Sequence, residues 1–196
     1  MTRIVSGRYG GRRLSTPEGR HTRPTSDRVR EALFSTLDTL MDIEGSRVLD
    51  LFAGSGAVGL EALSRGAAYA LLVESEPRAV KAIRANISLL KASSAHVSSG
   101  KVSVILGAGN PQTPYDLVFA DPPYPLSEEE LTAVLTALVT GKWLAEDAVV
   151  VLERSSRSPE PSWVEGVTLE RGRRYGESAL WYGRATETSG LKGETQ

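Results

Sequence analysis

The chain has no cysteine, which excludes disulfides and thiolate metal sites and is compatible with a reducing cytosol. Histidine is nearly as scarce: His21 and His96 stand in no metal-ligand spacing, so no metal centre is expected. No apolar run approaches the ~18 residues of a membrane helix, and no basic-then-apolar leader opens the chain. A cytoplasmic protein with no membrane segment is therefore expected. Lysine is rare as well, five against 18 arginines, and there is no internal repeat. Nothing in the sequence demands more than a monomer.

What remains is ordinary in bulk and uneven in distribution. The 196 residues, 40% hydrophobic and 24% charged, suffice for one well-buried domain with a small appendage. The net charge of −1 hides an asymmetry. Residues 1 to 30 carry Arg3, Arg8, Arg12, Arg13, Arg20, Arg23, Arg28 and Arg30 against Glu18 and Asp27, a balance of +6 that leaves −7 on the rest. A basic arm on an acidic body suggests a polyanion met by one face. Arginine in place of lysine favours bidentate phosphate contacts and stacking on bases.

Short extended pieces around Tyr9-Gly10-Gly11 predict an N-terminal β-hairpin, too poor in apolar residues to fold alone. Pro24 forces extension, and Thr25, Ser26 or Asp27 caps a helix whose apolar face runs through Val29, Leu33, Leu37 and Leu40. Strands and helices then alternate. Strands are expected at 47–51, 69–74, 101–106, 116–120 and 148–153, with helices at 58–65, from Pro77 to about Leu90, and from Ser127 to about Thr140. Two further strands, 167–174 and 178–184, form a hairpin about Tyr175-Gly176-Glu177. The expected fold is α/β and Rossmann-like: a seven-stranded, mostly parallel sheet with a C-terminal antiparallel hairpin and an N-terminal β-hairpin arm. The corresponding division is an arm over 1–24, a body over 25–185 and a polar, disordered tail over 186–196.

In such sheets ligands bind beyond the carboxyl ends of the strands. Asp50, Glu74, Leu106 and Asp121 are all expected there. Gly54-Ser55-Gly56-Ala57-Val58-Gly59 follows a strand and precedes a helix, and Glu74 lies 20 residues after Gly54, where an acid takes ribose hydroxyls. Asp50 would repel a diphosphate but attract an ammonium group. S-adenosylmethionine, with a ribose, an amino acid moiety and no phosphate, fits that pairing better than a dinucleotide. At the next rim position, Asp121-Pro122-Pro123-Tyr124 ends an apolar run. The two prolines stop the strand. That leaves a carboxylate and a carbonyl as acceptors for an NH2, with a ring to stack on.

The segment Val48 to Gly56 together with Asp121 to Tyr124 resembles class I S-adenosylmethionine-dependent amino-methyltransferases. The opening segments Arg3-Ile4-Val5-Ser6-Gly7, Gly11-Arg12-Arg13-Leu14 and Arg23 to Phe34 resemble the RsmD family, over about Arg3 to Gly183. That family methylates the N2 amine of a guanine in 16S ribosomal RNA. The resemblance implies a cofactor site of Asp50, Phe52, Ala53, Gly54, Ser55, Gly56, Glu74 and Ser75. Asp121 and the Pro122 carbonyl would receive the target amine, and Tyr124 would stack on its base. Many relatives place an acid after the third strand for the adenine amino group. Here Gly107-Ala108-Gly109 is expected at that place, so adenine would meet backbone at Ala108 or another side chain. Arg3, Arg8, Arg12, Arg13, Arg20, Arg23, Arg173 and Arg174 are the candidate RNA grip, although Arg23 and Thr25 are alternatively placed to face the cofactor carboxylate.

Three other activities share parts of this pattern. An adenine-N6 methyltransferase clamps a similar amine. An NAD-dependent oxidoreductase uses the same glycine fingerprint, but Asp50 argues against it. A non-catalytic RNA-binding assembly factor would keep the fold without turnover.

Overall fold

The computed structural model describes residues 2–17, 26–123 and 125–187. The expectations placed on Arg20, Arg23, Thr25, Tyr124 and the chain from residue 188 onward lie outside the described residues. In chain order the elements are β1 (Thr2–Arg3), β2 (Arg13–Leu14), α1 (Asp27–Leu40), β3 (Arg47–Leu51), α2 (Ala57–Ser64), β4 (Tyr69–Glu74), α3 (Pro77–Leu90) and β5 (Ala95–Ser99). They continue with α4 (Val102–Gly107), β6 (Tyr115–Ala120), α5 (Glu128–Thr140), β7 (Leu144–Ser155), β8 (Val167–Tyr175) and β9 (Ser178–Ala185).

Seven strands form one sheet in the order β5-β4-β3-β6-β7-β9-β8, while β1 and β2 pair separately as a small hairpin. The first five pair in parallel, and β9 runs antiparallel to both β7 and β8. Central strands covered on both faces read as unbroken apolar runs. Leu117 to Ala120 and Val149 to Leu152 are such runs, all essentially inaccessible. One face packs residues of α1, α2, α3 and the hairpin (Phe34, Leu60, Ile83, Ile4), and the other packs α4 and α5 (Leu106, Leu131, Leu135).

Local signals explain most helix boundaries. The Ser26 side chain accepts from Val29 N at the start of α1. Pro77 opens α3 where its missing N–H costs nothing. In α5, Ser127 and Glu130 exchange reciprocal bonds in a capping box. The helix α2 is different, because all eight of its residues are buried. The N-terminal hairpin covers its outer side: Gly7 packs on the Ser64 carbonyl, where a Cβ would come within 1.9 Å of the oxygen.

One expected strand is a helix. Residues 101–106 contain two valines and an isoleucine and so read as extended, but they form α4, with Val102 and Leu106 buried one turn apart and Val104 68% exposed. The third strand of the large sheet in chain order is instead Ala95–Ser99, where no strand was expected. It is an edge strand that, among the described residues, pairs only with β4, so it needs few apolar residues. Leu106 consequently does not lie at a strand's carboxyl end. Ala108 follows α4 as its C-cap, and the neighbouring Asn110 N–H donates to Gly141 O, just before β7 enters the sheet. Ala108 thus sits at the amino rim, away from Glu74, and the backbone that leaves the third strand is Gly100-Lys101.

Candidate active site

The strand order reverses between β3 and β6, so their connections leave in opposite directions and open a crevice at the carboxyl rim. The loop after β3 borders that crevice. Phe52 holds φ +57, a left-handed conformation unusual for a bulky residue and costing on the order of 1–3 kcal/mol. The turn is held by Ala53 N–H to Val73 O and Gly56 N–H to Ala53 O. The glycines that follow have separate reasons. Gly54 has φ +60 and open space where a side chain would stand. At Gly56, also with positive φ, a Cβ would meet Leu72 Cδ2 at 2.9 Å. At Gly59 it would lie 3.0 Å from the same atom and 3.3 Å from Asp50 Oδ2.

That last approach matters electrostatically. Asp50 is 2% exposed, and its Oδ2 accepts from Gly59 N–H at 2.9 Å. The first turn of α2 is therefore already occupied by a carboxylate. Burial pushes the Asp50 carboxyl up to about 8, opposed by the Gly59 bond and reinforced by Glu74. Glu74 is buried too, with Oε2 accepting from Gly54 N–H at 2.8 Å and Oε1 from the N–H groups of Ser75 and Glu76. It ties the glycine loop to the end of β4.

Asp121 follows β6 directly. Alternation along β6 puts Leu117 and Phe119 on the α2 side of the sheet, and Asp121 continues that series. Burial, then Glu153, then Asp50 raise its carboxyl well above the usual range, and Arg154 opposes them. Pro122 is buried, Pro123 is exposed, and Leu126 N–H closes the turn onto Pro123 O. Asp50, Glu74 and Asp121 thus stand at the ends of three successive strands in space. They are acceptors suited to an ammonium group, hydroxyls and an amine.

The arginines divide. Arg8 stacks on Tyr9, Arg12 and Arg13 are exposed on the hairpin, and Arg3 pairs with Asp27 at 3.2 Å. Arg30 is fully buried against Glu61 and Asp27, so part of the cationic cluster is internal structure. Arg173 and Arg174 reach the carboxyl rim, because β8 runs parallel to β7 and they align with Leu180 and Ala179 of β9. As consecutive strand residues they project to opposite faces of the sheet.

Comparisons with known proteins agree with this architecture. The family described as "Conserved hypothetical protein 95" matches residues 2–184. Ribosomal RNA small subunit methyltransferase D of Escherichia coli K12 is 38% identical over 178 residues, covering 90% of this chain and 86% of that protein. The chain belongs to the RsmD family of methyltransferases. The family's Haemophilus influenzae representative is 35% identical over 159 residues, 80% of either chain. The solved Escherichia coli protein yhhF, described as a candidate methyltransferase, superposes with a TM-score of 0.80 at 36% identity, over 94% of this chain and 97% of that one.

Three residues of this RsmD-family chain escaped the sequence reading. Glu61, fully buried in α2, accepts from Val5 N–H and Ser6 N–H at 2.8 and 2.9 Å and from Arg30 and Arg65, and so docks the hairpin. Asn86 in α3 bonds both backbone groups of Ser15 and donates to Ser55 O at 2.9 Å, joining the arm to the glycine loop. Glu153 ends the buried part of β7 beside Asp121. A lone Glu in an apolar helix was the available signal for the first. The other two are defined only by partners distant in sequence.

Proposed function

We propose that this chain transfers a methyl group from S-adenosylmethionine to the N2 amine of a guanine in small-subunit ribosomal RNA. The observation that carries the cofactor assignment is the Asp50 carboxylate seated on the first turn of α2. It occupies the N–H position where a dinucleotide's diphosphate would bind and offers instead a carboxyl group that an arriving ammonium group would ionise. Glu74 has acceptor capacity left for ribose hydroxyls beyond its three backbone bonds. The open face of Gly54 admits a ligand against the backbone between Phe52 and Gly56, with Ser75 adjoining. Adenine is assigned to the Gly100-Lys101 backbone where β5 ends, in place of Ala108.

When bound, S-adenosylmethionine supplies an already activated methyl group. The protein's task is to position the amine and stabilise the charge that grows on it. The guanine N2 lone pair is delocalised into the ring. Asp121 and the Pro122 carbonyl accept its two hydrogens, favour pyramidal nitrogen and hold the developing positive charge. Tyr124 is assigned the stacking of the unstacked base, worth ~1–3 kcal/mol. Arg3, Arg8, Arg12 and Arg13 of the 1–24 arm, with Arg173 and Arg174 on the 25–185 body, are assigned to RNA phosphates. The two relatives named as small subunit methyltransferases support this substrate, and the cytoplasm is where such subunits assemble.

The test is methyl transfer onto small subunits lacking the modification, followed by digestion to nucleosides. N2-methylguanosine is the expected product. Methyladenosine, or no transfer to any ribosomal precursor, overturns the proposal.

A further inference from the structure

A D-P-P-Y turn grips an amine on a flat ring, and by itself it does not distinguish guanine N2 from adenine N6. The two bases differ beside the amine. Guanine presents the N1–H donor next to its N2 hydrogens, whereas adenine presents an acceptor at N1 next to its N6 hydrogens. A site for guanine therefore gains from a second acceptor adjoining the first, and the same acceptor repels adenine.

Such an acceptor stands beside Asp121. In the β6–β7 ladder Ala120 is level with Leu152, so the next residue on each strand, Asp121 and Glu153, is level as well. Adjacent strands lie roughly 4.8 Å apart. Alternation along β7 puts Val149 and Val151 on the α2 side of the sheet, and Glu153 follows them on the side that Asp121 and Asp50 share. Glu153 is 7% exposed and close enough to Asp121 to perturb it more strongly than Asp50 does. Two carboxylates side by side in a poorly solvated site repel each other. A ligand that donates to both relieves that repulsion.

We propose that Glu153 is the specificity-determining residue for guanine, accepting the N1–H while Asp121 accepts the N2 amine. This rests on the guanine-N2 reading above. The paired carboxylates read the donor edge of guanine and leave an adenine N1 lone pair facing an anion. A site built to receive an N–H rejects the analogue that lacks it, because a buried acceptor is then left opposite a second acceptor.

The experiment compares guanine with diaminopurine at the mapped target position of the same small-subunit particle, using the full-length enzyme. Diaminopurine keeps the N2 amine but carries an acceptor at N1. The wild type is expected to favour guanine in kcat/KM by roughly 10²-fold or more. Glu153→Gln, whose amide both accepts and donates, is expected to narrow that preference to below about 10-fold, and Glu153→Ala to narrow it without restoring guanine turnover. Wild-type turnover that is equal on both bases overturns the role of Glu153 and needs no variant to detect. A parallel loss on both bases in folded Glu153→Gln also overturns it. A wild type that methylates no guanine overturns the underlying reading, which separates the two failures.

Discussion

The proposed mechanism concentrates the chemistry into the Asp121 side chain. In the proposed mechanism it holds an amine and its growing charge, so Asp121→Ala should lower kcat by about 10²–10³. RNA affinity, measured by filter binding, should stay near the wild-type value, since phosphate contacts supply most of it. Asp50 makes a different prediction. Its folded-state carboxyl is raised from 3.8 to about 8, so the neutral form is favoured in the unliganded protein. Its contribution to stability is complete below about pH 4 and is lost as pH rises through 8. Thermal unfolding of the free protein should therefore show falling stability between pH 5 and pH 8.5, of a few kcal/mol at most, and Asp50→Asn should flatten that slope. An ammonium group on Asp50 favours the ionised form. Cofactor binding near pH 7 should accordingly release a proton, visible by calorimetry in buffers of different ionisation enthalpy.

Among the elements, α2 joins the two functional parts. Its first turn meets Asp50 through Gly59, and its second carries Glu61 and Ser64, which hold the arm. Glu61 receives two backbone donors and two guanidinium groups with no exposure of its own. Glu61→Ala leaves Arg30 buried beside a void, and should cost about 3–5 kcal/mol by denaturant titration. It should also open the bonds after Arg8, Arg12 and Arg13 to trypsin before the body unfolds. Glu61→Gln keeps the shape and should show a smaller loss. The element misread from sequence, α4, makes the complementary point. Val102 to Ile105 is rich in strand-favouring residues, yet burial of Val102 and Leu106 on one helical stripe decides the outcome. Propensity yields there to packing. The consequence reached the expected site, because the misread strand put the end of the third strand near Ala108, whereas β5 ends at Ser99.

For the whole molecule, the N-terminal arginines divide between the surface and the interior. Arg12 and Arg13 are exposed on the hairpin, unlike Arg30, which is consumed internally. Replacing both by alanine should weaken RNA binding and reduce the slope of log K against log salt by about 0.7–0.9 per lost phosphate contact. An unchanged slope would remove the hairpin from the RNA interface.

The sequence by itself determined the alternation of strands and helices outside residues 95–107, the glycine loop, and the places of Asp50, Glu74 and Asp121 at strand ends. These are local matters: a period, a turn that needs glycine, a proline that cannot continue a ladder. It could not reveal that Glu153 is level with Asp121, that Asn86 spans Ser15 and Ser55, or that Glu61 anchors the arm. Each of those depends on sheet register or on helix docking between residues 31 to 71 positions apart. Only the assembled sheet decides which carboxylates become neighbours, because β3, β6 and β7 are adjacent in space while their sequences are separated by whole crossover units. The Asp121-Pro122-Pro123 turn at the end of β6 was legible residue by residue. What stands beside Asp121 was decided by register.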